Sequence, residues 1–408
     1  MVQFNRSIES LLGEELKNNK ITLLFGPRQV GKSYLMNQIF KKNKSKSFYF
    51  DLEQPDQMME FAASDSVIQK KIMEAGQIVF IDEFHYLKNA GKIFKAIYDL
   101  GSREENKSIK VFASGSSAIE MHKHIKESMA GRIKKFQVRP LILDEYLSNN
   151  SADLTEEEYF IYGGLPETYI YSGAGRSEYL KNLYQTYIQR DVKAFIREEN
   201  MAAFNKMLYL LANYQGQIVP ANTLASEILV SSHTVQSYID ILEQTFTLYT
   251  VTSFSKNLSN ELKKSKKYYL YDLGIRNVIL KNFSKLSSRK DIGVIIETYV
   301  LHYLLSIRNE AETDLFFWRT TRGDEVDFIW NHNQVPVPIE VKASYNKKTI
   351  TKGLESFIKA YPKTEDIIIV YYKTKSLDDY EEFYYKDYRC HLVKVTKLGY
   401  LKEILQES

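Results

Sequence analysis

Ile21-Thr22-Leu23-Leu24-Phe25-Gly26-Pro27-Arg28-Gln29-Val30-Gly31-Lys32-Ser33 sets a strand-length apolar run ahead of a loop with glycine at both ends, then a lysine beside a hydroxyl. Leu35, Met36, Ile39 and Phe40 follow at helical spacing, so the loop is expected between a strand and a helix. Glycine at 26 and 31 lets successive backbone N–H groups turn inward around phosphate oxygens, and the helix N-terminus adds partial positive charge. Lys32 is then expected to reach the β and γ phosphates and Ser33 to offer its hydroxyl to Mg2+. The expected binding set is Gly26, Pro27, Arg28, Gln29, Val30, Gly31, Lys32, Ser33 and Tyr34, with ATP and Mg2+ as the ligands.

A second run, Ile78-Val79-Phe80-Ile81-Asp82-Glu83, reads as a buried central strand that ends on two acids. In an open α/β sheet, the carboxyl ends of the strands face the ligand crevice. Asp82 is expected to hold Mg2+ through water, and Glu83 to polarise the attacking water. A nucleotide kinase needs no such base whereas a hydrolase does, so Glu83 favours hydrolysis. A further strand ends in Ala113-Ser114-Gly115-Ser116-Ser117, which offers Ser114 or Ser116 as a polar sensor beside the γ-phosphate. Arg132 and Arg190 are candidates for charge stabilisation at the transferring phosphoryl group, within the chain or from a neighbouring subunit. Lys32, Glu83 and Arg132 form the expected catalytic set.

Composition limits the rest. With 408 residues, 44% of them hydrophobic and 26% charged, the chain reads as soluble and globular, and at about 150 residues per domain it holds two to four units. A net charge of +4 permits a nucleic-acid partner without arguing for one. Cys390 is the only cysteine, which excludes an intramolecular disulfide and a cysteine-rich zinc site and fits a reducing compartment. The N-terminus reads as carrying no secretion signal, and no apolar stretch reaches the roughly 18 residues of a membrane helix. A cytoplasmic protein with no membrane partner is expected; a homo-oligomer is left open.

Along the chain, residues 1–155 alternate strands (Ile21 to Phe25, Ser47 to Leu52, Ile78 to Ile81, Lys110 to Ala113) with amphipathic helices, the rhythm of a parallel sheet. Residues 156–200 read as a helical lid broken by the turn Gly163-Gly164-Leu165-Pro166. Residues 201–285 read as three helices and two strands, the order of a winged helix-turn-helix. There, a helix capped by serine near Ser231 buries Val235, Ile239 and Leu242 and leaves Ser232, His233, Gln236 and Ser237 outward. DNA binding would need phosphate contacts from Lys263, Lys264, Lys266 and Lys267; protein docking is the other use of such a fold. Lys281 to Lys290 reads as a linker, with a solvated loop as the alternative, and 286–408 as a small separate α/β domain.

In that last domain, Asp324-Glu325-Val326-Asp327-Phe328-Ile329-Trp330 and Val337-Pro338-Ile339-Glu340-Val341-Lys342 each alternate with period two. A hairpin turning near Asn333 pairs residues whose numbers sum to about 665 or 667, which sets Asp327 beside Glu340 on one face. Two carboxylates that close call for a cation, and Mg2+ accepts one or two carboxylates plus waters. Lys342 would lie next to the metal-bound water.

Together these runs, with Asp82-Glu83-Phe84-His85, Ala130-Gly131-Arg132 and Tyr162-Gly163-Gly164-Leu165-Pro166, give the chain a resemblance. It resembles the prokaryotic AAA-family (AAA+) P-loop ATPases that join a P-loop domain to a winged helix and a restriction-endonuclease-like C-terminal domain. The resemblance spans essentially the whole chain and implies ATP binding and hydrolysis. One departure is Ala113-Ser114, where such proteins often carry a threonine before the glycine. Helix Glu297, strand Asp327 and Glu340-x-Lys342 resemble the PD-(D/E)xK nuclease core, which implies a second metal site at Glu297, Asp327 and Glu340 with Lys342. Three functional readings stand at this point: an ATP hydrolase coupled to the C-terminal modules, an ATP-gated switch or scaffold with slow turnover, and an ATP-regulated metal-dependent DNA nuclease.

Overall fold

The computed structural model describes residues 4–61, 63–103, 108–115, 129–149, 154–187, 196, 200–255 and 266–407. They fall into two compact units, one of Met1–Leu141 with Leu165–Ile170 and Gln244–Thr247, the other of the remainder.

The first unit is built on a five-stranded parallel sheet of β1 (Ile21–Phe25), β2 (Ser47–Asp51), β3 (Ile78–Asp82), β4 (Lys110–Gly115) and β5 (Ile133–Gln137), in the order β2-β3-β4-β1-β5. β3 and β4 are buried throughout, as strands covered by helices on both faces must be. Their register stacks Tyr49, Phe80 and Phe112 side by side across three strands, with centroids 5.9 and 5.2 Å apart. Phe40, from the helix Lys32–Lys42, meets the first two rings edge-on. That helix buries Leu35, Met36 and Ile39, the face its spacing predicts. β4 lies between β1 and β3, so the glycine loop leaving β1 and the acids ending β3 flank Ser114.

The second unit carries an eight-stranded mixed sheet: β6 (Leu248–Ser253), β7 (Lys266–Leu270), β8 (Thr313–Arg319), β9 (Glu325–His332), β10 (Val335–Ser344), β11 (Asp366–Lys373), β12 (Tyr380–Tyr385) and β13 (Tyr388–Lys394). Its order is β12-β13-β11-β10-β9-β8-β6-β7. Three helices, Met201–Asn213, Ala221–Ile228 and Ser232–Gln244, precede the β6–β7 hairpin. In the last of them Val235, Ile239 and Leu242 are buried with Tyr238, and Ser231 Oγ accepts the Thr234 N–H at 3.0 Å.

Two expectations change here. The hairpin expected as a separate wing is the edge of the C-terminal sheet, because β6 pairs in parallel with β8 at Thr252–Phe316 and Ser253–Phe317. The segment 281–290 is not a linker. Leu286 is buried, and the Arg289 guanidinium is sunk between Asn277 Oδ1 at 2.9 Å, the Asn282 carbonyl at 3.0 Å and Asp291 at 2.7 Å. The turn at 163–164 is locked by Asp272: Gly164 N donates to its Oδ2 at 2.7 Å. A Cβ at Gly163 (φ 79°) would fall 2.4 Å from that carboxylate, so only glycine fits.

Candidate functional site

Gly26 has φ 143° because the loop turns sharply off β1 beneath Val138, whose carbonyl oxygen would lie 2.1 Å from any Cβ there. Gln29 (φ 63°) and Gly31 (φ 95°) bend the loop a second time, and the helix begins at Lys32. The Lys32 ammonium is 6% exposed and donates to the carbonyl oxygens of Gly26 and Pro27 at 2.9 and 2.8 Å. From outside, Arg6 pins the loop, its two terminal nitrogens donating to the Val30 carbonyl at 2.9 Å and the Arg139 carbonyl at 2.7 Å. A cavity of about 430 Å³ opens here, lined by Arg28, Gln29, Gly31, Lys32, Ser33 and Tyr34 on the loop side and by Glu83 opposite. Phe4, Arg6, Glu53, Pro166, Glu167 and Ile170 complete its wall.

The acids behave as distinct groups. Asp82 is buried and accepts hydrogen bonds from Ser114 Oγ and, at 2.8 Å, from Tyr49 OH. Ser114 in turn accepts the Glu83 N–H at 3.2 Å, so one hydroxyl ties the two acids together. Glu83 sits in the left-handed region (φ 51°), a strained setting for a glutamate and one associated with functional positions. His85 Nδ1 lies 3.1 Å from Glu83 Oε2. Burial alone would raise the Glu83 carboxyl, but hydrogen bonding to His85 and the charges of Lys32, His85 and Arg28 hold it below its ordinary value. Glu83 is therefore ionised at neutral pH, as a water-activating base must be.

The geometry thus brings together the glycine loop, Lys32, Ser33, Asp82, Glu83 and Ser114. It does not bring Arg132 to them. The Arg132 carbonyl accepts the Ile21 N–H at 2.9 Å and its Nε donates to Asp99 at 2.8 Å, which fixes it at the amino end of β1. The loop leaves the carboxyl end, a strand of roughly 16 Å away, so Arg132 does not reach the site of its own chain. Ser116, Ser117 and Arg190 lie outside the described residues. Sequence reasoning missed Arg6, Tyr49 and the role of His85. Only His85 carried a signal, its place two residues after Glu83.

In the second unit, the β9–β10 hairpin turns through Asn333 (φ 48°) and Gln334 (φ 66°), with Val335 opposite His332 and Ile339 opposite Phe328. This is one of the two expected registers, and it sets Asp327 beside Glu340. A side-chain ammonium lies among these acids. Lys267, 1% exposed, projects its ammonium 2.7 Å from Glu325 Oε1, 3.3 Å from Glu297 Oε1 and 3.9 Å from Asp327 Oδ1. Tyr269 OH donates to Glu297 at 2.5 Å, Val341 N to Asp327 Oδ2 at 2.8 Å and Lys342 Nζ to Glu340 Oε1 at 2.6 Å. Burial pushes the Glu297 carboxyl up to about 7 and Glu340 to about 8. Among the described residues, no group of three or more acids, histidines or cysteines is set to hold a metal ion. In this arrangement Glu297, Glu325 and Asp327 lie about the Lys267 ammonium, and Glu340 lies beside Lys342. Lys267 is likewise unavailable to DNA phosphates, and Lys263 and Lys264 lie outside the described residues. Among the described residues no helix is long and apolar enough to cross a membrane.

A glycine loop between strand and helix, with an Asp-Glu pair ending a nearby parallel strand, defines a P-loop nucleotide-binding domain. Residues 18–147 match the family model described as an AAA domain, and the match supports ATP binding. Two models described as domains of unknown function match residues 154–286 and 292–389. The chain is 23% identical over 358 residues to an uncharacterized protein of Mycobacterium tuberculosis, covering 86% of this chain and 76% of that one. It is 24% identical over 381 residues to one of Methanocaldococcus jannaschii, covering 87% and 81%. Among solved structures, it is similar to a Walker-type ATPase of Pyrococcus abyssi (TM-score 0.48, 17% identity, 68% of this chain and 96% of that one). It is also similar to the RuvB Holliday junction branch migration motor of Thermotoga maritima (TM-score 0.34, 16% identity, 60% and 89%).

Proposed function

We propose that the first unit binds ATP with Mg2+ and hydrolyses it. One observation carries this reading: Glu83 lines the same cavity as Lys32 and Ser33. A bound triphosphate exchanges the Gly26 and Pro27 carbonyls for phosphate oxygens around the Lys32 ammonium, a gain of charged acceptors over neutral ones. Ser33 and Asp82 are the residues that would hold Mg2+, which neutralises phosphate charge. Asp82 fits because its oxygens already face hydroxyl donors that a water shell can replace. Glu83 polarises the attacking water, and Ser114 keeps the two acids in step. Steady-state phosphate release tests the assignment: Glu83→Gln is expected to slow turnover by about 10²- to 10⁴-fold while retaining ATP. Unchanged turnover would show that Glu83 is not the base.

A second reading, an ATP-gated switch with slow turnover, is favoured by the grip of His85 on Glu83. In that case His85→Ala raises the rate of phosphate release; if the rate falls, His85 positions the base rather than restraining it.

A further inference from the structure

The C-terminal carboxylates present a problem in charge. Glu297 comes from the helix Ile292–Ile307, Glu325 and Asp327 from β9 and Glu340 from β10, so four acids converge where two of the side chains are largely shielded from water. Buried like charges repel strongly unless a cation lies between them. Lys342 sits beside Glu340 alone at 2.6 Å and is more than a third exposed. Lys267 is placed differently. It leaves the edge strand β7 and buries its whole side chain, its ammonium also 5.5 Å from the Phe317 ring centre. Its contacts reach three of the four acids, drawn from two different elements.

We propose that Lys267 is the resident cation of this carboxylate cluster, an ammonium of the chain itself seated where a divalent metal would otherwise be held. Three observations meet in it. The donor oxygens converge on the ammonium rather than on a shared point open to an ion. Asp327 Oδ2 and Glu297 Oε1 are further occupied by Val341 N and Tyr269 OH. Glu340 Oε2 is the one fully buried carboxylate oxygen of the cluster without a hydrogen-bond partner. The cluster then acts as a joint that ties β7 to the helix 292–307 and β9. It is a cation site that becomes open to metal only when Lys267 is removed or withdrawn. This inference is independent of the reading of the first unit.

The test uses the full chain without nucleotide, with Ser33→Ala and Asp82→Asn in every arm so that the first unit takes up no ion. Mn2+ uptake is followed by loss of the free-ion electron paramagnetic resonance signal, and folding by thermal melting. The chain with Lys267 intact is expected to take up no Mn2+ at this cluster, and its melting is expected to be unmoved by the ion. Lys267→Met should gain one Mn2+ per chain and melt higher with the ion than without it, and adding Asp327→Asn should abolish both effects. Uptake of one Mn2+ by the chain with Lys267 intact, lost on Asp327→Asn, overturns the proposal. So does a folded Lys267→Met variant that takes up none. If Lys267→Met fails to fold with or without Mn2+, the intact chain decides: no uptake upholds the proposal, and Asp327-dependent uptake sinks it.

Discussion

Each unit sets a buried lysine near carboxylates, and the two lysines are held in opposite ways. Lys32 rests on main-chain carbonyls, neutral acceptors that a phosphate outcompetes, while its acid Glu83 stands across a cavity. Lys267 rests on the acids themselves, at 2.7 and 3.3 Å, with no cavity between. The same ammonium thus serves exchange in one place and permanence in the other. What differs is whether its partner is neutral or charged, because a buried ion pair is costly to break once made.

Substitution sharpens this contrast. The largest effect on stability is expected at Lys267→Met, a loss of about 3–5 kcal/mol in denaturant unfolding of the second unit, since it leaves the part-buried Glu297, Glu325 and Asp327 without their ammonium. Lys32→Ala should instead cost only about 1.5–3 kcal/mol, losing hydrogen bonds from an ammonium to neutral carbonyls, while abolishing retention of labelled ATP. Equal losses of stability at the two lysines would break the comparison. Asp366 supplies a control on the same sheet as Lys267. Burial works against its ionisation, but hydrogen bonds from His391 at 2.9 Å and Arg389 at 2.7 Å bring it down to about 2. A depressed carboxyl stabilises above its unfolded value near pH 4 and loses that contribution as the pH falls toward 2. Asp366→Asn should therefore cost about 2 kcal/mol at pH 7 and progressively less below pH 4. A pH-independent cost would mean that the charge is irrelevant. The smallest effect, about 1 kcal/mol, is expected for Ser231→Ala, which removes the helix cap on Thr234 N–H.

The core of the first unit was legible because β1, β3 and β4 are continuous apolar runs and the helix 32–42 keeps its period. β5 was not, since Ile133-Lys134-Lys135-Phe136-Gln137 is an edge strand whose two lysines face solvent. The glycine loop and the acid pair could be read because each chemical role is tied to a fixed spacing. Arg132 could not be placed, because an arginine acts through where the fold carries it, and the fold carries it to the amino end of β1, away from the glycine loop of its own chain. The hairpin register of β9 and β10 followed from alternation and one turn. Lys267 escaped for the opposite reason. In a lysine-rich stretch, nothing local marks the one side chain that turns inward, and its partners lie 30 or more residues away. Composition also misled at 281–290, where a basic, serine-rich segment hides a buried Arg289.

The pairing of β6 with β8 governs how this chain can be divided. The two C-terminal family matches meet between 286 and 292, yet that seam runs between neighbouring strands of one sheet. A fragment excised at 286 would leave β8 with a raw edge open to self-association and strip the acids of their counterion. The piece that can stand alone must start upstream of β6, so the hairpin travels with the C-terminal sheet in any dissection or domain exchange.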